Sequence, residues 1–88
     1  MTMTQVLYAL EVARCQNVSR AAERLILSQS ALSQQLRRLE QELGYPIFTR
    51  TLHGVQLTPE GERFCEQAAG MARTWKEFQA NVQKSALG

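Results

Sequence analysis

The chain has 88 residues, of which 44% are apolar and 20% charged, with a net charge of +2. That length allows one domain at most, and the composition excludes a disordered segment or a collagen-like repeat. The acidic residues are eight Glu with no Asp, and His53 is the single histidine. So short a chain has little room to wall off a catalytic pocket, and the arithmetic points to a binding module.

The distribution of charge says more than its total. Residues 1–13 carry only Glu11. Residues 14–53 carry six arginines (Arg14, Arg20, Arg24, Arg37, Arg38 and Arg50) against Glu23, Glu40 and Glu42, a surplus of +3. In residues 54–88, Arg63, Arg73, Lys76 and Lys84 are cancelled by Glu60, Glu62, Glu66 and Glu77. The positive middle is built entirely from Arg, the side chain suited to bidentate phosphate and base contacts. No stretch approaches the roughly 20 apolar residues of a membrane span. The start also lacks the basic-then-apolar pattern of a secretory leader. A cytoplasmic protein with no membrane partner is expected. Cys15 and Cys65 stand far apart with no metal-ligand spacing, so reduced, partly buried thiols are expected, with no cofactor and no metal.

In chain order, Gln5 to Cys15 places Val6, Leu7, Leu10 and Ala13 at helical spacing, which predicts a first amphipathic helix. Gln16, Asn17 and Val18 interrupt it, and Ser19 is read as the N-cap of a short second helix over Arg20 to Ile26. That helix would bury Ala21, Ala22 and Leu25, its paired alanines allowing another helix to cross closely. Ser28 then caps a third helix from Gln29 to Leu43, where Leu32, Leu36, Leu39 and Leu43 form one stripe. The opposite face is polar: Gln29, Ser30, Ser33, Gln34, Arg37, Arg38 and Gln41. Gly44 supplies a left-handed C-cap, and Pro46 prevents continuation.

Pro46 to Arg50 and Val55 to Thr58 read as two short strands joined by a loop containing Gly54. Phe48, Val55 and Leu57 are expected to point inward, with Arg50 and His53 outside. Thr58-Pro59-Glu60 then opens a last helix that runs to about Lys84, as N-cap, N1 proline and acidic first turn. Its apolar positions Phe64, Ala68, Met71, Trp75, Phe78 and Val82 are spaced alternately by four and three residues, a heptad seam. The seam outruns so small a core, which predicts a dimerisation helix. Three helices and a two-stranded hairpin make a mainly α, winged helix-turn-helix unit over residues 1–58, followed by a linker/dimerisation helix over residues 59–88. The third helix is the one that would meet a major groove.

Read together, the motifs resemble the N-terminal DNA-binding domain of LysR-type transcriptional regulators. They are Ala21-Ala22-Glu23-Arg24-Leu25, Leu27-Ser28-Gln29-Ser30-Ala31-Leu32-Ser33 and Leu39-Glu40-Gln41-Glu42-Leu43-Gly44, then Ile47-Phe48-Thr49-Arg50 and Val55-Gln56-Leu57-Thr58-Pro59-Glu60-Gly61. They arrive in the family's order and spacing across about residues 4–88. The resemblance implies a bacterial homodimer held by long helices packed antiparallel. Its partner would be double-stranded DNA carrying an imperfect dyad, often built on a T-N11-A core. By position it assigns base contacts to Gln29, Ser33 and Gln34, the groove edge to Ser30, and helix capping or phosphate to Ser28. Arg37, Arg50 and His53 would contact backbone or the adjacent minor groove, with Arg38 beside them on the polar face. A small-molecule effector is implied only for a C-terminal effector-binding domain, absent from these residues.

Four positions depart from the family's common pattern. Ser30 stands where Pro is usual, Gln34 where Arg is frequent, and His53 replaces a wing Arg. Gln16-Asn17 replaces Gly-Ser, with Asn17 suited to a left-handed or capping role. A catalytic reading would have to join His53 to Cys15 or Cys65, both of which lie beside apolar stripes and look structural. A protein-interaction module built on the long helix is the stronger alternative, but it leaves the Ser-Gln face and the arginine surplus without a reason.

Overall fold

The first helix begins at its capping residues. In the computed structural model, which describes residues 1–87 and side chains through residue 85, Thr2 and Gln5 cap one another reciprocally. The Gln5 amide donates to Thr2 Oγ1 and the Thr2 amide to Gln5 Oε1, each at 3.1 Å. Two of the orphan amides at the helix start are satisfied in this way, and α1 spans Met3–Cys15, two residues longer than its apolar spacing predicts. Gln16 closes it in the left-handed conformation (φ 55).

The N-cap of α2 (Val18–Leu25) is Asn17, whose side chain accepts from the Arg20 amide at 3.0 Å. This corrects both the expected start at Arg20 and the assignment of Ser19 as cap. Val18 is no interruption: it lies three and four residues before Ala21 and Ala22, and all three are buried. The helix stops at Leu25 because Ile26 adopts a left-handed conformation (φ 58). The Leu27 amide then reaches back to the Ala22 carbonyl at 2.9 Å, closing the end.

Helix α3 spans Gln29–Leu43, as predicted, with Ser28 Oγ accepting from the Ala31 amide and Gly44 (φ 84) closing the C-terminus. Leu32, Leu36 and Leu39 are buried against Ala9, Val12, Ala21, Ala22, Ile47 and Val55. Ala21 is fully buried and Ala22 nearly so, and these small side chains let α2 lie close to its neighbours.

Strands β1 (Phe48–Thr51) and β2 (Gly54–Leu57) pair antiparallel, with Phe48 opposite Leu57 and Arg50 opposite Val55. Both lie one or two residues from the expected spans. Residues facing one another across a ladder share a face of the sheet. Arg50 is therefore exposed but lies on the same face as Phe48, Val55 and Leu57, not on the outer one. The reversal needs Gly54 (φ 142): a Cβ there would stand 2.1 Å from the Gln16 carbonyl oxygen, which accepts from the Val55 amide at 3.1 Å. The wing is thus seated on the end of α1.

Ile47, fully buried, joins three elements through its peptide groups. Its amide and that of Phe48 donate to Glu40 Oε2 of α3, at 2.6 and 3.3 Å. Its carbonyl accepts from the Thr58 amide at 2.9 Å. The Thr58 hydroxyl donates to the Pro46 carbonyl at 2.7 Å and accepts from the Gly61 amide at 2.9 Å, capping α4 (Pro59–Leu87). Gly61 is required by proximity, because a Cβ would lie 2.1 Å from the Ile47 oxygen.

At 1.5 Å per residue, the 29 residues of α4 reach about 43 Å, most of the molecule's longest extent of 50 Å. Phe64 packs on the core and Ala68 is buried, so the first part of the seam belongs to this domain. Beyond it Met71, Trp75, Phe78 and Val82 are exposed.

Two stability predictions arise. Glu40→Ala removes the acceptor for two part-buried amides and should destabilise the chain by about 1–3 kcal/mol in denaturant titration, while Glu40→Gln, which keeps an oxygen, should lose less. Ile26→Asn replaces a β-branched residue in a left-handed conformation with one that tolerates it, and should stabilise by about 1 kcal/mol. A lower denaturation midpoint for Ile26→Asn would show that Ile26 makes a compensating contact.

Candidate nucleic-acid interface

At about 100° per residue, Ser30, Gln34, Arg37 and Arg38 lie together on the side of α3 opposite its buried leucines. All but Ser33, which is half-buried, are exposed among the polar positions predicted on this helix. Ser28 uses its hydroxyl oxygen as the helix cap. Gln35, the remaining glutamine of the helix, accepts from Gln5 Nε2 of α1 at 3.1 Å and so turns away from the outer face.

The wing lies against the same helix. One cleft is lined by Ser33, Arg37 and Glu40 of α3 with Phe48, Arg50 and Val55 of the wing. A second, at the N-terminal end of α3, is lined by Ser19, Gln29, Arg50, Thr51 and Gly54 among others. Arg50 belongs to both, because its position on the inward face aims it at α3. The fold therefore brings together Gln29, Ser33, Arg37 and Arg50. Ser28, Ser30, Gln34 and Arg38 are outside these clefts, and His53 occupies the exposed tip of the hairpin.

Ser19 was not among the predicted site residues, yet its hydroxyl donates to Gln29 Oε1 at 2.8 Å. Ten positions separate the two residues, and only the crossing of α2 over α3 joins them. No spacing rule in the sequence announces it.

The arginines divide into two groups. Arg14 and Arg24 both pair with Glu11, the latter at 3.0 Å. The Arg14 hydrogen bond, against an opposing effect of partial burial and with help from the Cys15 thiol and the Arg24 charge, holds the Glu11 carboxyl down to about 2. Among the described residues Arg20, Arg37, Arg38 and Arg50 have no carboxylate within salt-bridge distance. The positive surplus seen in the sequence is thus left open on α3, the wing and the start of α2, where it can meet an anionic partner.

Met3, Met71, Trp75 and Phe78, none of which lines either cleft, border a shallow groove along α4. It adjoins another lined by Val6, Leu43, Tyr45, Phe64 and Met71. The Trp75 and Phe78 rings stack with centroids 5.7 Å apart. Cys15 and Cys65 are free and half-buried; Cys15 donates to Glu11 Oε1 at 3.5 Å, and burial pushes the Cys65 thiol up. The described residues contain no metal-binding group of three or more His, Cys, Asp or Glu, and no helix long and apolar enough to cross a membrane.

Residues 3–62 match the family described as bacterial regulatory helix-turn-helix protein, lysR family. The chain is 42% identical over 81 residues to the uncharacterized HTH-type transcriptional regulator YcgK of Bacillus subtilis (strain 168), covering 92% of this chain and 25% of that protein. Its fold superimposes on the BenM_DBD/catB site 1 DNA complex with a TM-score of 0.91 and 30% identity, over 100% of this chain and 99% of that one. The corresponding values for the CbnR_DBD-DNA complex are 0.86 and 30%, over 98% and 99%. The chain spans about a quarter of the length of the curated relatives it matches. With the winged helix-turn-helix architecture, the motif order and the matched residues in agreement, the chain belongs to the lysR family of bacterial regulatory helix-turn-helix proteins.

Proposed function

We propose that the chain is a sequence-specific double-stranded DNA-binding domain, residues 1–58, joined to a homodimerisation helix, residues 59–88, of a cytoplasmic transcription regulator. Gly88 lies outside the described residues. The observation that carries this reading is the shared surface of α3 and the wing, on which Gln29, Ser33, Arg37 and Arg50 converge, while Arg37, Arg38 and Arg50 keep no ion pair among the described residues. The two family members solved as DNA complexes support the same partner.

In this reading α3 enters the major groove from its N-terminal end. Gln29, Ser33 and Gln34 meet base edges, Ser30 sits at the groove margin, and Ser28 supports the first turn and meets phosphate. Arg37, Arg38 and Arg50 neutralise backbone phosphates, and His53 at the wing tip faces the neighbouring minor groove. Two such helices, carried by antiparallel α4 helices, would address an imperfect dyad, of the T-N11-A kind that the family resemblance suggests. Met71, Trp75, Phe78 and Val82, exposed on one chain, would fill the apolar groove beside Met3 on the other, with Phe64 and Ala68 forming its floor. A small-molecule effector would act on the further domain that the greater length of the relatives leaves room for. The relatives, named as transcriptional regulators, point to a non-enzyme.

Gln29→Ala or Ser33→Ala should lower affinity for the preferred duplex by about 1–3 kcal/mol and leave binding to random duplex nearly unchanged. Equal losses on both would contradict base readout. Arg50→Ala should weaken binding to every duplex and reduce the slope of log affinity against log salt by about 1. For the seam, Trp75→Glu with Phe78→Glu should give monomers in sedimentation, and persistent dimers would place the interface elsewhere.

A further inference from the structure

We propose that Ser19 is a positioning residue that dictates which hydrogen-bonding group Gln29 offers to a base, biasing it toward guanine over adenine. The inference rests on the major-groove reading above. A glutamine free to rotate can present its oxygen and its amino group side by side, and so pair bidentately with adenine N6 and N7. Here that freedom is curtailed. The Ser19 hydroxyl donates to Gln29 Oε1 at 2.8 Å, drawing the amide oxygen back toward α2. Gln29 Nε2 donates to no group among the described residues, so the amino group is the part left to face outward.

An outward amino group is a pure donor and fits a base edge made of acceptors. Guanine presents two neighbouring acceptors in the major groove, N7 and O6, whereas adenine presents N7 beside an N6 amino group. Adenine therefore offers one partner and one like group to the same atom. Both Ser19 and Gln29 are exposed at the mouth of the cleft they share with Arg50 and Thr51, so the pair stands where a base would arrive. Ser19 sits in the first turn of α2, whose start is fixed by Asn17. Its hydroxyl is thus held by a rigid element, independent of any motion of the Gln29 side chain.

The test is a double-mutant cycle on duplexes. A duplex selected by the wild-type chain is varied at the base pair whose preference disappears in Gln29→Ala, and the ratio of affinities for guanine and adenine at that position is measured. The wild-type ratio should favour guanine by about fivefold. Ser19→Ala should shift it toward adenine by at least about threefold, Ser19→Thr should retain the wild-type ratio, and Ser19→Ala should change nothing when Gln29 is already Ala. A ratio unmoved by Ser19→Ala, a wild-type preference for adenine, or an equal effect of Ser19→Ala with Gln29 absent would overturn the proposal. Failure to select any duplex would instead overturn the DNA-binding reading on which it rests.

Discussion

Ile47 fastens α3, the wing and the long helix α4 to one another. Its amide is held by Glu40 from α3, its carbonyl by Thr58 from the start of α4, and Gly61 stands too close for any side chain. These are backbone groups at a buried residue, where leaving a donor or acceptor unmade is costly. Satisfying them fixes the angle of the hairpin against α3, and that angle brings Arg50 into the clefts lined by Gln29 and Arg37. The second fastening, from the Val55 amide to the Gln16 carbonyl, stops the hairpin from swinging outward. A two-stranded ribbon alone is marginal, and this one is held at both ends.

Charge is organised with the same economy. Glu11 gathers Arg14 and Arg24 on the α1–α2 side and ties those helices together. The surplus is then left to arginines on α3, the wing and the start of α2. Net charge alone hid this, since +2 on 88 residues is unremarkable. The partition along the chain exposed it, and the ion pairs sharpened it by removing two of the six central arginines from consideration.

Helix α3 was legible to the residue because Ser28, the leucine spacing and Gly44 all state the same boundaries. The start of α2 was legible only in part: the comparison with the family's Gly-Ser marked Asn17 as suited to a capping role, which it fills, while cap propensity alone favoured Ser19 and nothing in Gln16 signals a left-handed residue. Ile26 hid the end of α2 in the way Gln16 hid that of α1: a β-branched residue gives no sign of a left-handed cap. The side on which Arg50 lies follows from strand register, which two short runs with a loose boundary do not define. The seam of α4 was visible as a period that outruns the core, but the point of division, with Phe64 and Ala68 packed within the chain and Met71, Trp75, Phe78 and Val82 exposed, was not. The Ser19–Gln29 contact was not legible, because the two residues are distant in sequence and meet only where α2 crosses α3.

The central claim is that two copies of the α3 and wing surface address one duplex. Selection of duplexes from a random library by the wild-type chain, followed by sedimentation of the complex with the winning sequence, tests it most directly. The expected winner is an interrupted dyad with half-sites about one helical turn apart, roughly 10 base pairs, bound by two chains. Enrichment of no sequence, or a single half-site saturated by one chain, would contradict it.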